Sequence, residues 1–248
     1  MKNFESGDFY FIKSVRDRVS HSLENKGLLI DLSTDSCRKY LQRKVNTKTN
    51  VVVMYVDIAG STQMSHDLPS LDLALIIQIF SQEVILAVEK FGGYVLKFVG
   101  DAVIGLFPSD YDQKKAIMNS LDCASYIQNI ISTAINPIFK QHSIPEIAVK
   151  IGIEYGSALV LLYGKNIAHA HIDLIGFSIS ITAKITSLSF PGEVIVGENI
   201  YHNLDISQQK YFLALYAERN SKWGSVMKYN NNLNYRLYKY VKGNNSRT

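Results

Sequence analysis

The chain has 248 residues, 47% of them hydrophobic and 19% charged, with a net charge of +4. That balance suits a globular protein with a sizeable core, and it is too mildly basic to imply nucleic acid or an anionic membrane as a partner. Two cysteines, Cys37 and Cys123, lack metal-ligand spacing and follow no leader segment, which predicts a reduced cytoplasmic setting rather than a disulfide framework.

Residues 1–48 form an N-terminal extension, with residues 49–248 as the main domain. Phe9 to Leu23 mixes aromatics with Lys13, Arg16 and Arg18 and predicts an amphipathic helix that packs on the domain or on a second copy. A short helix is expected over Ser36 to Arg43, and the polar run Lys44 to Asn50 joins it to the domain. Val51 to Val56 is a buried strand by its β-branched composition. Ser70 to Phe91 keeps helical spacing until Gly92-Gly93 ends it. Its apolar stretch, Leu71 to Val88, carries Asp72, Gln78, Gln82 and Glu83, so no apolar run approaches the ~18 residues of a membrane helix. Tyr94 to Phe107 reads as a hairpin and Gln113 to Phe139 as a helix whose last turn Pro137 limits. Ala148 to Tyr155 reads as a strand, turned at Gly156, with Ala158 to Tyr163 as its hairpin mate. Asp173 to Leu188 is rich in isoleucine and threonine, but its apolar spacing favours a helix. A strand at Glu193 to Val196, a helix at Glu198 to Asn203 and strands at Tyr211 to Ala217 and Tyr235 to Tyr240 complete the chain. This order predicts an α/β protein with helices on one face of a sheet.

Two stretches carry chemistry. In VVVMYVDIAGST, Asp57 ends a buried strand, where a carboxylate meets solvent or metal. Ile58, Ala59 and Gly60 turn the chain, Ser61 and Thr62 can cap a following helix, and free N–H groups there attract phosphate. In YVLKFVGDAVIGLF, the Gly100-Asp101 turn lifts a second carboxylate to the sheet edge. If the hairpin lies beside the first strand, the two carboxylates converge as a two-ion site requires, and oxygen ligands suit magnesium or manganese. Taken singly, each stretch is equally an ordinary turn with a capping or solvated Asp. A third set, Asp173, Ser180 and Lys184, is spaced by seven and four and would share one helical face. That face is either a solvated stripe or a substrate-facing one. Lys97 points away from its neighbours Leu96 and Phe98 and needs a partner; Asp173 is a candidate across a subunit interface.

Together these residues resemble the class III nucleotidyl cyclases, the adenylate and guanylate cyclase family. The resemblance covers about residues 50 to 205 and rests on YVDIAGST, GGYVLKFVGDAVIGLF, VKIGIEYGSALV and HIDLIGFSISITAKITSLSFPGEVIVG. It implies a ferredoxin-like fold with a mainly antiparallel sheet. It also implies a homodimer with active sites between subunits. By the resemblance, Asp57, Asp101 and the Ile58 carbonyl bind two Mn2+ or Mg2+ ions, and Ala59, Gly60, Ser61 and Thr62 cradle phosphate. Lys97 and Asp173, from the other subunit, read the base. Ser180 stands where the family usually has asparagine for the ribose. Lys184 stands where it usually has arginine for the transition-state phosphate, a change that is not conservative at a fork contact. Tyr55 replaces a common phenylalanine, shrinking the base pocket and adding a hydroxyl.

These three departures resemble the bacterial pyrimidine cyclases of Pycsar anti-phage systems, which make cyclic UMP or cyclic CMP that activates a separate effector. The implied reaction converts UTP or CTP to the 3′,5′-cyclic monophosphate and pyrophosphate. By hydrogen-bonding inventory alone, Lys97 and Asp173 suit adenine, cytosine or uracil. Adenylate cyclase is therefore an alternative, as is a degenerate, nucleotide-binding regulatory domain. Lys222 and Lys228 are candidates for the terminal phosphates.

Overall fold

The computed structural model describes residues 7–28, 33–167, 169–215, 228–229 and 233–241. The order is α1 (Gly7–Asn25), α2 (Asp35–Gln42), β1 (Lys48–Ile58), α3 (Ser61–Asp67), α4 (Ser70–Lys90), β2 (Tyr94–Val99), β3 (Ala102–Pro108) and α5 (Gln113–Ile130). A π-helical turn at Ile131–Ile135 leads into α6 (Asn136–Gln141), β4 (Val149–Tyr163), β5 (His171–Ile175), α7 (Phe177–Leu188), β6 (Val194–Gly197), α8 (Glu198–His202) and α9 (Ile206–Gln209). β7 (Phe212–Leu215), β8 (Lys228–Tyr229), β9 (Leu233–Asn234) and β10 (Leu237–Tyr240) follow. The main sheet runs β2-β3-β1-β4-β6-β10-β7, with β5 also on β4 and β8–β9 a separate pair. Its ladders are antiparallel except β4–β6.

The mixed α/β architecture with a central, mainly antiparallel sheet is as expected. Helices, however, occupy both faces of the sheet. α1, α4, α5 and α6 bury Val19, Phe80, Ile117 and Phe139 against Met54, Val56 and Ile151 on one face. α2 and α7 cover the other, with Cys37 and Leu41 on Val51 and Val53, and Ile181 and Ile185 on Ile195. By length and composition α4 could cross a membrane, yet Gln82 and Glu83 within it are buried and its apolar residues join the core. Alternation explains the two-sided burial of β1: Val51, Val53 and Tyr55 face one layer and Val52, Met54 and Val56 the other.

The N-terminal extension packs on this domain. Arg18 makes a fork contact with Glu83 of α4 (2.8 and 2.6 Å), a carboxylate only 1% exposed. Pro137 has no N–H to give the carbonyl four residues earlier, Thr133. Arg16 takes that carbonyl instead, at 2.6 and 3.2 Å, and the helix passes through its π turn rather than ending.

Three expectations are corrected. Gly156 makes no turn: β4 runs unbroken for 15 residues, and its hairpin mate is β5. A side chain at Gly156 would press on Ser178 Cβ at 3.1 Å, so the glycine permits a close approach of α7. Asp173 lies on β5 rather than on the helix, which starts at Phe177, so Asp173 shares no helical face with Ser180 and Lys184. Ser61 and Thr62 are the first residues of α3 rather than its cap; Gly60 holds that position at φ 77° with no side-chain cap. In the tail, residues 216–217 and Lys222 lie outside the described residues, as does the side chain of Lys228.

Candidate active site

β1 ends beside both the β2–β3 turn and the start of β4, and this brings three charged groups together. Asp101 Oδ2 accepts from the Ile58 N–H at 3.2 Å. Asp57 faces Lys150 across the β1–β4 ladder, and Lys150 Nζ lies 2.6 Å from its Oδ2. Burial raises the Asp57 carboxyl pKa; Lys150 opposes that rise, and the Asp101 carboxylate beside it adds to it. The two aspartates therefore converge as expected, on a half-buried rim. From Ile58 the contact seen is the N–H. Sequence reasoning passed over Lys150; the register with Asp57 identifies it, and alternation around buried Val149 and Ile151 could have suggested it.

A second group forms on the α2/α7 face. Lys97 Nζ meets Asp173 Oδ2 at 2.5 Å within one chain, so the interface between subunits is not needed for this pair. Asp173 Oδ1 also accepts from the Leu174 N–H at 2.8 Å. His171 Nε2 lies 3.9 Å from Asp173. Tyr55 is half-buried nearby, its phenol pKa raised by burial and then by Asp173. Beneath lies Cys37, whose thiol burial and Asp173 push up to about 12. The helix of Cys37 is as expected over Ser36 to Arg43, but the sequence assigns Cys37 no place at the site.

Ser180 and Lys184 are exposed on α7 and line an open groove of about 230 Å³ with Phe177 and Ile181. Ala59, Gly60, Ser61 and Thr62 sit at the turn into α3, beside Asp57. Among the described residues, no hydrogen bond or ion pair joins the Asp57–Asp101 group to the Lys97–Asp173 group or to Lys184. The structure thus shows two charged clusters, Asp57–Asp101–Lys150 and Lys97–Asp173, each bonded within itself.

Residues 43–223 match the model of the adenylate and guanylate cyclase catalytic domain. The chain belongs to that family. Among curated relatives, a cytidylate cyclase of Escherichia coli is 24% identical over 181 residues, covering 70% of this chain and 39% of that protein. The chain thus spans well under half the length of that relative. A uridylate cyclase of Treponema porcinum is 26% identical over 230 residues, covering 91% of this chain and 76% of the relative. Among solved structures, the adenylyl cyclase CyaB of P. aeruginosa superposes with a TM-score of 0.65 at 18% identity, over 82% of this chain and 98% of that one. The guanylyl cyclase Cya2 gives 0.66 at 15%, over 79% and 93%. Those cyclase domains share the fold described above.

Proposed function

We propose that the protein is a nucleotidyl cyclase acting on a pyrimidine triphosphate, UTP ahead of CTP. It would work as a homodimer in which each active site joins the Asp57–Asp101 half of one subunit to the Lys97–Asp173 half of its partner. The observation that supports this reading is that Asp57 and Asp101 meet in one cluster while Lys97 and Asp173 pair in another. Exposed apolar side chains next to both members of the second pair support the dimer: Phe98 and Val99 follow Lys97, and Ile175 and Phe177 follow Asp173, with 37–53% exposure. A second copy seated there would cover them and bring the halves together.

The donor chemistry fits divalent ions. Asp57 and Asp101 meet beside the Lys150 ammonium, and their oxygens would suit magnesium or manganese with the remaining positions filled by substrate and water. Asp57, Asp101 and the Ile58 carbonyl would hold them. When bound, such ions favour ionisation of the ribose 3′-hydroxyl and neutralise triphosphate charge. In the reaction the 3′-oxygen bonds to the α-phosphorus, the bond to the β-phosphate bridging oxygen breaks, pyrophosphate leaves and the hydroxyl proton passes to solvent. The backbone at Ala59, Gly60, Ser61 and Thr62 would hold phosphate oxygens. Ser180 would orient the ribose and Lys184 meet charge growing on the phosphate; positioning and electrostatics supply most of the acceleration. Lys97 would donate to a base carbonyl or ring nitrogen, and Asp173 accept from the base.

The preference for a pyrimidine rests on Tyr55, which narrows the base pocket, and on likeness to both cytidylate and uridylate cyclases. The uridylate cyclase matches most of this chain, which favours UTP. By the resemblance of Tyr55, Ser180 and Lys184 to the pyrimidine cyclases of anti-phage systems, the product would be a second messenger of cytoplasmic defence that acts on a separate effector. Incubation with ATP, GTP, CTP and UTP in manganese, with products resolved by mass spectrometry, tests the reading. Cyclic UMP or cyclic CMP is expected. Cyclic AMP would overturn the pyrimidine assignment, and binding of triphosphate without turnover would overturn the enzyme.

A further inference from the structure

The strands that carry Lys97 and Asp173 share no ladder. β2 lies at one end of the sheet and pairs with β3, whereas β5 pairs with β4. Within the sheet they are linked only through β3, β1 and β4, whereas α2 touches both directly. Tyr40 stacks on Tyr94 of β2 with ring centroids 5.4 Å apart. Cys37 and Leu41, each 1% exposed, share a core cluster with Leu96 of β2 and with Ile172 and Leu174 of β5.

From the same helix Arg38 grips the loop that feeds β5. Its Nη1 donates to the Ala170 carbonyl at 2.7 Å and its Nη2 to the Ile167 carbonyl at 2.9 Å. Gln42 Nε2 adds a bond to Ile167 at 3.3 Å. Ala170 lies three residues before Asp173. The other end of α2 is anchored separately: Tyr40 donates to Asp110 at 2.7 Å and Lys44 pairs with Asp110 at 2.6 Å, just past β3. The helix is thus fixed to the β2–β3 side, and on the β5 side its apolar packing and the Gln42 bond are joined by one planar guanidinium, whose fork suits two carbonyls at once.

We propose that Arg38 is a positioning residue for base recognition: by clamping the Ile167 and Ala170 carbonyls to α2, it sets Asp173 against Lys97 and thereby fixes which nucleobase is accepted. This rests on the reading of Lys97 and Asp173 as the base-contacting pair. The ion pair alone holds two charges together, but it does not hold them at a fixed place relative to a bound base. Discrimination by hydrogen bonding needs donor and acceptor held to within about 0.5 Å. Arg38 supplies that constraint from the N-terminal extension, without lining the metal carboxylates.

The test uses the full chain and three variants, Arg38→Ala, Arg38→Lys and Asp173→Ala. Each is assayed with the four nucleoside triphosphates in manganese, and each melting temperature is measured. Arg38→Ala is expected to raise KM for the preferred triphosphate about tenfold, with kcat within about threefold of wild type. The kcat/KM ratio between the preferred and next-best triphosphate should fall by a similar factor. Arg38→Lys, able to reach one carbonyl rather than two, should lie between. Asp173→Ala separates the two readings. If it alters discrimination while Arg38→Ala leaves KM and the ratio at wild-type values, the clamp is wrong and the base pair stands. If Asp173→Ala leaves discrimination untouched, the base-reading assignment falls and the clamp with it. A loss in Arg38→Ala that is equal for all four triphosphates and follows a lowered melting temperature would mark the residue as structural only, and would also overturn the proposal.

Discussion

Ser180 and Lys184 reach the solvent groove because α7 lies unusually close to β4, and the contact is made at a residue with no side chain. A Cβ at Gly152 would stand 2.2 Å from Thr186 Oγ1, 2.9 Å from the Thr182 carbonyl oxygen and 3.1 Å from the Thr186 nitrogen, where ordinary contact begins at 3.4 Å. Thr186 cannot turn its hydroxyl aside cheaply: it donates to the Thr182 carbonyl at 2.8 Å, and a β-branched side chain has little rotamer freedom in a helix. Even with the hydroxyl gone, two backbone atoms remain too close, so α7 itself must recede by several tenths of an ångström. Gly152→Ala is therefore expected to cost about 1–3 kcal/mol through overpacking, lowering Tm by about 2–12 °C for a chain of this size. Because the proposed ribose and phosphate contacts ride on α7, turnover should fall by up to about a hundredfold. Gly105→Ala provides the contrast, since its Cβ would meet only the Val88 and Met54 side chains, no nearer than 3.3 Å. Scanning calorimetry and turnover of both variants check the argument. A Gly152→Ala protein that melts and turns over like wild type would refute the close approach of α7 as the device that places Ser180 and Lys184.

Two further outcomes follow from the charged groups. Asp57→Ala and Asp101→Ala should each abolish turnover while leaving the circular dichroism spectrum unchanged; near-wild-type activity in either would sink the two-ion assignment. Glu154 is fully buried on β4, and burial raises its carboxyl pKa well above the usual range, against hydrogen bonds from the Tyr155 N–H and from Asn199. Tyr235 of the tail also donates to it. The native state then holds a proton that the unfolded chain has lost, so stability falls as pH rises above the ordinary glutamate value, by about 1.4 kcal/mol per pH unit over the affected window. Glu154→Gln should flatten that slope in denaturant titrations between pH 5 and 8; an unchanged slope would mean that Glu154 is ionised in the fold.

What could be read from the chain alone divides along a physical line. Elements stated by local chemistry were visible: the β-branched run into Asp57, the helical spacing that stops at Gly92-Gly93, the Gly100-Asp101 turn. The first and the last each place a carboxylate, Asp57 and Asp101, without help from distant residues. Misreadings came where tertiary contact overrode a local signal. Gly156 looked like a turn because glycine commonly is one, yet here it makes room for Ser178 while β4 continues. The His171–Ile175 segment alternates buried and exposed residues as a strand, but it runs straight into the isoleucine-rich helix, and only Gly176 divides them. Arg38 has no signal in its own neighbourhood, and Lys150 has only the strand alternation between buried Val149 and Ile151. Their importance lies in partners 132 and 93 residues away, which a single sequence does not reveal.

Lys150 also bears on how the proposed site would be loaded. Two carboxylates beside one ammonium leave a single negative charge in the ligand-free cluster, and the lysine holds down a pKa that burial and Asp101 drive up. A divalent ion bound between the carboxylates would reverse the sign of that charge, and the ammonium would then face a cation instead of an anion. On the proposed reading, a bound ion would loosen the hold of Asp57 on Lys150, and the triphosphate would offer the ammonium another anionic partner. Lys150 would then join Lys222 and Lys228 as a candidate for the terminal phosphates. A residue at the metal rim would do both tasks in turn, as counter-ion before the metal binds and as phosphate contact afterwards. Its side chain is 18% exposed, which keeps it close to the carboxylates while leaving the flexible stem free to swing.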